Sequence, residues 1–197
     1  CGPTVYNYFH IGNARSFVMS DVIRRYFEYR GYKVTYVMNI TDIDDKTIRK
    51  ASELGVPLSA VTQKFIDAFH ADLRALNVLP ADVYPRATEH IPEMVGLFSQ
   101  LLEKGFAYEK DGSVYFSIGR FPNYGRLANV EPESLKLGAA VSADEYEKEA
   151  VQDFALWKGK KPGEPSWPAP FGEGRPGWHI ECSAMSMKYL GPHFDIH

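Results

Sequence analysis

The chain has 197 residues, 45% of them hydrophobic and 24% charged, with 22 Lys and Arg against 25 Asp and Glu for a net charge of −3. That length buries a core and makes one or two domains, while no run reaches the roughly 20 apolar residues that span a bilayer, and no membrane partner is expected. The slight negative charge gives no global attraction for nucleic acid. Only two cysteines, Cys1 and Cys182, are present, which excludes a disulfide-framework mini-protein and points to a reduced, cytoplasmic setting. The sequence opens on Cys1 without an initiator methionine and closes on His197 without a polar tail. It therefore reads as a piece of a longer polypeptide, and the absence of a leader carries no weight.

In chain order, Cys1-Gly2-Pro3-Thr4-Val5-Tyr6-Asn7-Tyr8-Phe9-His10-Ile11-Gly12-Asn13-Ala14-Arg15 puts a thiol, a tight turn and a helix start carrying a histidine in one segment. A thiolate suits a soft metal such as zinc. A glycine-containing turn leading into a helix suits a phosphate, because backbone N–H groups and the positive dipole end face outward. Apolar residues at Val18, Met19, Val22, Ile23, Tyr26 and Phe27 predict a helix over 14–30 that stops at Gly31. Residues 33–40, β-branched and apolar, predict a buried strand. Asp44 and Asp45 precede a helix over 46–51, and Asp42, Asp44 and Asp45 read as helix-capping residues. The acidic loop lacks the glycine and distal glutamate of a calcium site.

Two further helices are predicted over 58–75 and 91–104, the second ended by Gly105. Val114, Phe116 and Ile118 alternate as in a half-buried antiparallel strand. Residues 120–175 are turn-rich, and a short helix is expected after Cys182, with Met185 and Met187 packing. The basic clusters, Lys158-Gly159-Lys160-Lys161 and Arg15, Arg24, Arg25 and Arg30, read as solvated surface charge. The fold class is α/β, with a βαβ start whose ligands belong at the carboxyl end of the strands. The predicted division is 1–99 for a first half of a nucleotide-binding domain, 100–173 for an inserted α+β region, and 174–197 for the resumption of the first domain.

His10 and Asn13, on the first turn of a helix, can donate to phosphate oxygens without adding negative charge, and Gly12 lets the backbone approach closely. A hydrogen-bonded structural histidine is the competing interpretation. Thr41 reads equally as a strand-end cap or a ligand contact, Trp178 as a core residue or a pocket wall, and His179 as structural or donating. Chosen at random, Cys1 and Cys182 would be inert thiols.

Three blocks change this balance. Cys1 to Asn13, Asn39-Ile40-Thr41-Asp42-Ile43-Asp44-Asp45, and Gly177-Trp178-His179-Ile180-Glu181-Cys182-Ser183-Ala184-Met185 together resemble cysteinyl-tRNA synthetases, class I aminoacyl-tRNA synthetases. In that family the first signature is His-Ile-Gly-Asn, and the resemblance runs through the whole chain. It implies a Rossmann-like class I nucleotide-binding fold with a connective insertion. It also implies an ATP-dependent ligase that activates L-cysteine with Mg2+-ATP to cysteinyl-adenylate and passes it to tRNA(Cys). His10 and Asn13 would be catalytic, and Thr4, His10, Gly12 and Asn13 would bind ATP. Gly2, Thr41, Trp178 and His179 would line the cysteine pocket. Cys1 and Cys182 would hold one Zn2+ per subunit, with the remaining ligands expected beyond His197. The lysine-rich second ATP signature also falls outside the chain, and Met185-Ser186-Met187-Lys188 is a decoy for it.

Zinc suits this substrate because serine and cysteine differ little in shape, whereas a thiol is selected by a metal that prefers thiolate. The resemblance further implies a monomer, and a fragment of this length is expected to be inactive alone. Two rivals stay open: the cysteine ligase of mycothiol synthesis, which resembles the same family, and a truncated non-catalytic paralogue that binds nucleotide or tRNA.

Overall fold

The computed structural model describes residues 1–127, 129 and 153–197; the part of the turn-rich region at 128 and 130–152 lies outside them. The chain folds as two compact units, Cys1–His90 with Met185–His197, and Ile91–Ala184.

In the first unit, α1 spans Ile11–Tyr29, α2 Asp45–Leu54 and α3 Leu58–Ala75. Asp44 caps α2 by accepting the Lys46 amide at 2.9 Å, while Thr47 Oγ1 accepts the Asp44 amide, and Gly55 ends the helix with φ 63°. Asp42 does not share the capping role predicted for it. Its carboxylate is buried and accepts from Thr88 N at 3.0 Å and Thr88 Oγ1 at 2.7 Å.

Three extended segments lie side by side in parallel, joined by the bridges Thr4–Thr41, Val37–Val83 and Ile40–Arg86. The predicted strand over 33–40 is thus reduced to point contacts, with Lys33 and Thr35 exposed. The flanking segments explain this: Pro3 and Pro85 lie in them and have no N–H to donate to a ladder. The middle segment still supplies the core. Met38 packs with Phe17, Phe69, Leu73 and Val78, and Ile40 with Val5, Ala51, Val61, Phe65 and Ile66. Residues at this spacing on α3 share one face, and each fully buried side chain contributes roughly 1.5–3 kcal/mol. Arg24 and Arg25, read from sequence as solvated, are tied down. Arg24 donates to Glu28 at 2.9 Å and to the Pro80 carbonyl, and Arg25 to the buried Asp21 at 2.7 Å.

In the second unit, α4 spans Ile91–Glu103. A four-stranded antiparallel sheet follows in the order β1 Ala107–Lys110, β2 Ser113–Phe116, β3 Phe154–Gly159, β4 Gly174–Pro176. Asp111 and Gly112, both at positive φ, make the β1–β2 hairpin turn. The predicted half-buried strand through Ile118 is corrected in two ways. All four β2 residues are buried, so both faces of this doubly paired strand are covered, and Ile118 has left it for a single 3-10 turn. Asp153 anchors this region, accepting from Tyr108 OH and Ile118 N at 3.0 Å each. Lys158 is buried and Lys160 pairs with Glu173, so this cluster is not simple solvated charge either.

Helix α5 spans Trp178–Leu190. It starts four residues before Cys182, not after it. Gly177 precedes it where the backbone passes so close that a Cβ would lie 2.0 Å from the Ala155 carbonyl oxygen. Met185 is buried as expected, but Met187 is exposed, because residues two apart on a helix face different directions. No helix among the described residues is long and apolar enough to cross a membrane.

Candidate nucleotide-binding site

The site begins where segment 3–5 ends and α1 starts. His10 has extended backbone, φ −106° and ψ 172°, and is the N-cap of a 19-residue helix. Its Nδ1 accepts the Gly12 amide at 3.0 Å, and Asn13 Oδ1 accepts the His10 amide at 3.3 Å, a reciprocal capping box. An Nδ1 that accepts carries no proton. The ring proton is therefore on Nε2, which is a donor on an exposed side chain. Asn13, with Oδ1 occupied, has its NH2 to offer. Gly12 is required for this arrangement, since a Cβ there would lie 2.7 Å from His10 Cε1.

The geometry revises the phosphate cradle expected from the sequence. The Gly12 amide is taken by His10 Nδ1, and the Asn13 amide by the His10 carbonyl at 2.9 Å. The first turn therefore offers the side-chain donors of His10 and Asn13, reinforced by the helix dipole, more than a nest of open amides.

Upstream, Thr4 pairs with Thr41, whose amide donates to Pro3 O at 3.0 Å while its carbonyl accepts the Val5 amide at 3.1 Å. Thr41 is 1% exposed. Beside it, burial raises the Asp42 carboxyl above its ordinary value, against the lowering effect of the Thr88 hydrogen bonds. Gly2 donates to Asn39 Oδ1 at 2.9 Å. Cys1 is exposed, with His197 Nε2 at 3.9 Å from its sulfur. Neither Asn39 nor His197 stands out in the sequence as a site residue. Asn39 could have been found as the polar residue in an otherwise apolar strand; His197 carries no local signal.

Trp178, His179 and Cys182 belong to the second unit. Trp178 is 55% exposed, which overturns its core interpretation. It lies four residues before the half-buried Cys182, on the same face of α5. His179 packs its ring 4.6 Å from Phe154.

Both cysteines are thiols, one exposed and one half-buried, and sulfur donors of that kind fit zinc. Two thiols do not complete a tetrahedral set, and among the described residues no group of three or more His, Cys, Asp or Glu could hold a metal. The fit is that of each thiol taken singly.

A family model described as tRNA synthetases class I (C) catalytic domain matches residues 1–197. The chain belongs to this family of class I aminoacyl-tRNA synthetase catalytic domains. Within it, the chain is similar to proteins named cysteine–tRNA ligase: it is 56% identical to that of Alkalilimnicola ehrlichii, 57% to that of Symbiobacterium thermophilum and 56% to that of Pyrococcus horikoshii. Each comparison covers 100% of this chain and 43%, 42% and 41% of the relative. The chain thus spans under half the length of these curated relatives.

Proposed function

We propose that this chain is the nucleotide-binding part of a cysteine–tRNA ligase, activating L-cysteine with Mg2+-ATP and passing it to tRNA(Cys). The observation that carries the proposal is the His10–Gly12 hydrogen bond, which holds the imidazole in the tautomer with a proton on Nε2 at the positive end of α1. The parallel segments followed by helices support a Rossmann-like arrangement, and the compact unit Ile91–Ala184 supports a connective insertion around 100–173.

In the first step a carboxylate oxygen of cysteine bonds to the α-phosphorus, the α–β phosphoanhydride bond breaks, and pyrophosphate leaves. Negative charge on the transferring phosphate is what must be stabilised, and positioning matters more than a base. His10 Nε2–H and the Asn13 NH2 donate to it, the dipole of α1 adds to their field, and Gly12 keeps the ring in place. Thr4 holds the approach to this turn in register with Thr41. In the second step a ribose hydroxyl of the tRNA terminus takes the cysteinyl group and AMP leaves.

Cys1 and Cys182 would hold zinc together with ligands from outside this chain. Bound there, zinc supplies a preference for thiolate over hydroxyl. Gly2, Thr41, Trp178 and His179 would line the amino-acid pocket. A cytoplasmic monomer is the expected setting.

Cysteine-dependent ATP–pyrophosphate exchange, measured on the polypeptide of full natural length, tests this function. Exchange should fall by at least 10²-fold in His10→Ala with zinc content unchanged, and Cys182→Ser should lower zinc content and cysteine affinity together. Normal exchange in His10→Ala would remove His10 from the chemistry.

A further inference from the structure

Some of the cations that stand out in the sequence are neutralised within the fold: Arg24 by Glu28, Arg25 by Asp21, Lys160 by Glu173. A different group keeps two of its three cations without an ion pair among the described residues. Lys46, Arg49 and Lys50 fall at i, i+3 and i+4 of α2 and so share a face, held outward because Thr47 and Ala51 occupy the buried side. With Tyr6 and Asn7, from the turn after segment 3–5, and with Glu53, they line a cleft of about 310 Å3. Among the described residues Glu53 is its one lining carboxylate, 3.6 Å from Lys50. Among the described residues, neither Lys46 nor Arg49 has a carboxylate within salt-bridge distance, and the Lys46 ammonium lies 5.3 Å from the Tyr6 ring centroid.

Among the described residues, three cations against one carboxylate make the lining of this cleft positive in a chain whose net charge is −3. Its place in the fold is also that of a ligand site. Tyr6 follows the paired Val5, and α2 follows the paired Thr41 by a few residues, so the cleft lies at the carboxyl ends of two parallel neighbours. Paired cations beside an aromatic ring suit a strand of nucleic acid: the cations neutralise phosphates, which gives register and affinity, and the ring stacks against an unpaired base. Tyr6 is half-buried, and a partly accessible tyrosine with an ammonium close to its face is a combination that single-strand-binding grooves use.

We propose that this cleft binds the sugar–phosphate backbone of RNA, with Lys46 and Arg49 on phosphates and Tyr6 under a base. This deepens the function proposed above and rests on it only for the choice of RNA as the polyanion. Phosphate from a free nucleotide offers the same chemistry, and the experiment separates the two sources.

The test uses the full-length protein and transcribed tRNA(Cys). Lys46→Ala/Arg49→Ala should weaken tRNA binding about 10-fold near 0.1 M salt, and the slope of log affinity against log salt should become shallower by about 1.5, close to one counterion released per lost contact. ATP–pyrophosphate exchange without tRNA should stay within twofold of wild type, which also reports an intact fold. Tyr6→Ala should weaken binding without changing the salt slope, and Tyr6→Phe should restore it. Unchanged tRNA affinity and slope in the double variant would overturn the proposal. So would a raised KM for ATP with tRNA affinity intact, which would assign the cleft to free nucleotide. Wild-type tRNA binding without any exchange would refute the proposed activity while the cleft is still decided by the salt slope; failure of the wild type to bind tRNA would overturn both.

Discussion

Asn39 Oδ1 accepts the Gly2 amide at 2.9 Å, and this contact continues a pairing that Pro3, lacking an N–H, interrupts. On the same pair of segments, Thr41 N donates to Pro3 O and Val5 N to Thr41 O. The side chain of Asn39 thus takes over where the backbone ladder stops, and holds the peptide that carries Cys1. The approach is tight: a Cβ on Gly2 would lie 1.7 Å from the Asn39 carbonyl oxygen.

Asn39→Ala should therefore cost about 1 kcal/mol in stability, the worth of one lost hydrogen bond, and should speed the reaction of the Cys1 thiol with a disulfide reagent. Asn39→Asp keeps the acceptor and should restore the wild-type rate. Gly2→Ala should cost about 2 kcal/mol or more, because backbone has to move. Denaturant midpoints together with thiol-labelling rates check all three; equal labelling in Asn39→Ala and wild type would show that Asn39 does not position Cys1.

The N-cap and chemical roles of His10 are separable. Asparagine is a good N-cap acceptor but has no group in the place of Nε2–H. His10→Asn should keep stability within about 0.5 kcal/mol of wild type while exchange falls by roughly 10²-fold, the usual scale for removing one donor to a developing charge. Exchange at wild-type level in this variant would confine His10 to capping.

Gly12→Ala separates the same two roles from the other side. Alanine favours a helix by about 1 kcal/mol over glycine, but its Cβ would meet the His10 ring at 2.7 Å. The helix should stay folded, with thermal stability unchanged or higher, and exchange should drop because the imidazole is displaced. A Gly12→Ala variant with unaltered exchange would show that the ring has room to move.

The buried Asp42 carboxyl, raised above its ordinary value of 3.8 by burial, gives a pH dependence of defined sign. Between the ordinary value and the raised one the folded state binds more protons than the unfolded state. Stability from this group is thus greatest at low pH and declines as pH rises through that window. Asp42→Asn retains an acceptor for Thr88 and cannot ionise, so it should lose less stability than wild type as pH increases above about 4. Denaturation curves for both proteins from pH 4 to 7 check this. A difference that does not change with pH would mean that the carboxylate ionises without penalty in its site.

Much of the first unit was legible in residue order because its cues are local. The apolar spacing from Val61 to Leu73 defines α3, and Asp44 with Gly55 brackets α2. The extended segment through Ile40 was legible as buried but not as a set of point bridges, since that depends on prolines in two other segments. The start of α5 is not legible in residue order, because Gly177 passes against Ala155 just before it, a contact across 22 residues of chain. The arginines read as solvated because their partners, Asp21 one turn away and the Pro80 carbonyl far along the chain, are chosen by packing.

By itself the sequence determined the helices, the family and the identity of the reactive groups, because capping, periodicity and a short ordered motif act over a few residues. Tertiary structure decided what those groups can do. It turned the Gly12 amide from an open phosphate donor into the bond that sets the His10 tautomer, and it placed Asn39 behind Cys1. It also left Lys46 and Arg49 beside Tyr6 while pairing Arg24 and Arg25 with carboxylates. Charge and hydrogen-bonding capacity are written in the residues, but whether they are satisfied depends on neighbours that only the folded chain brings within reach.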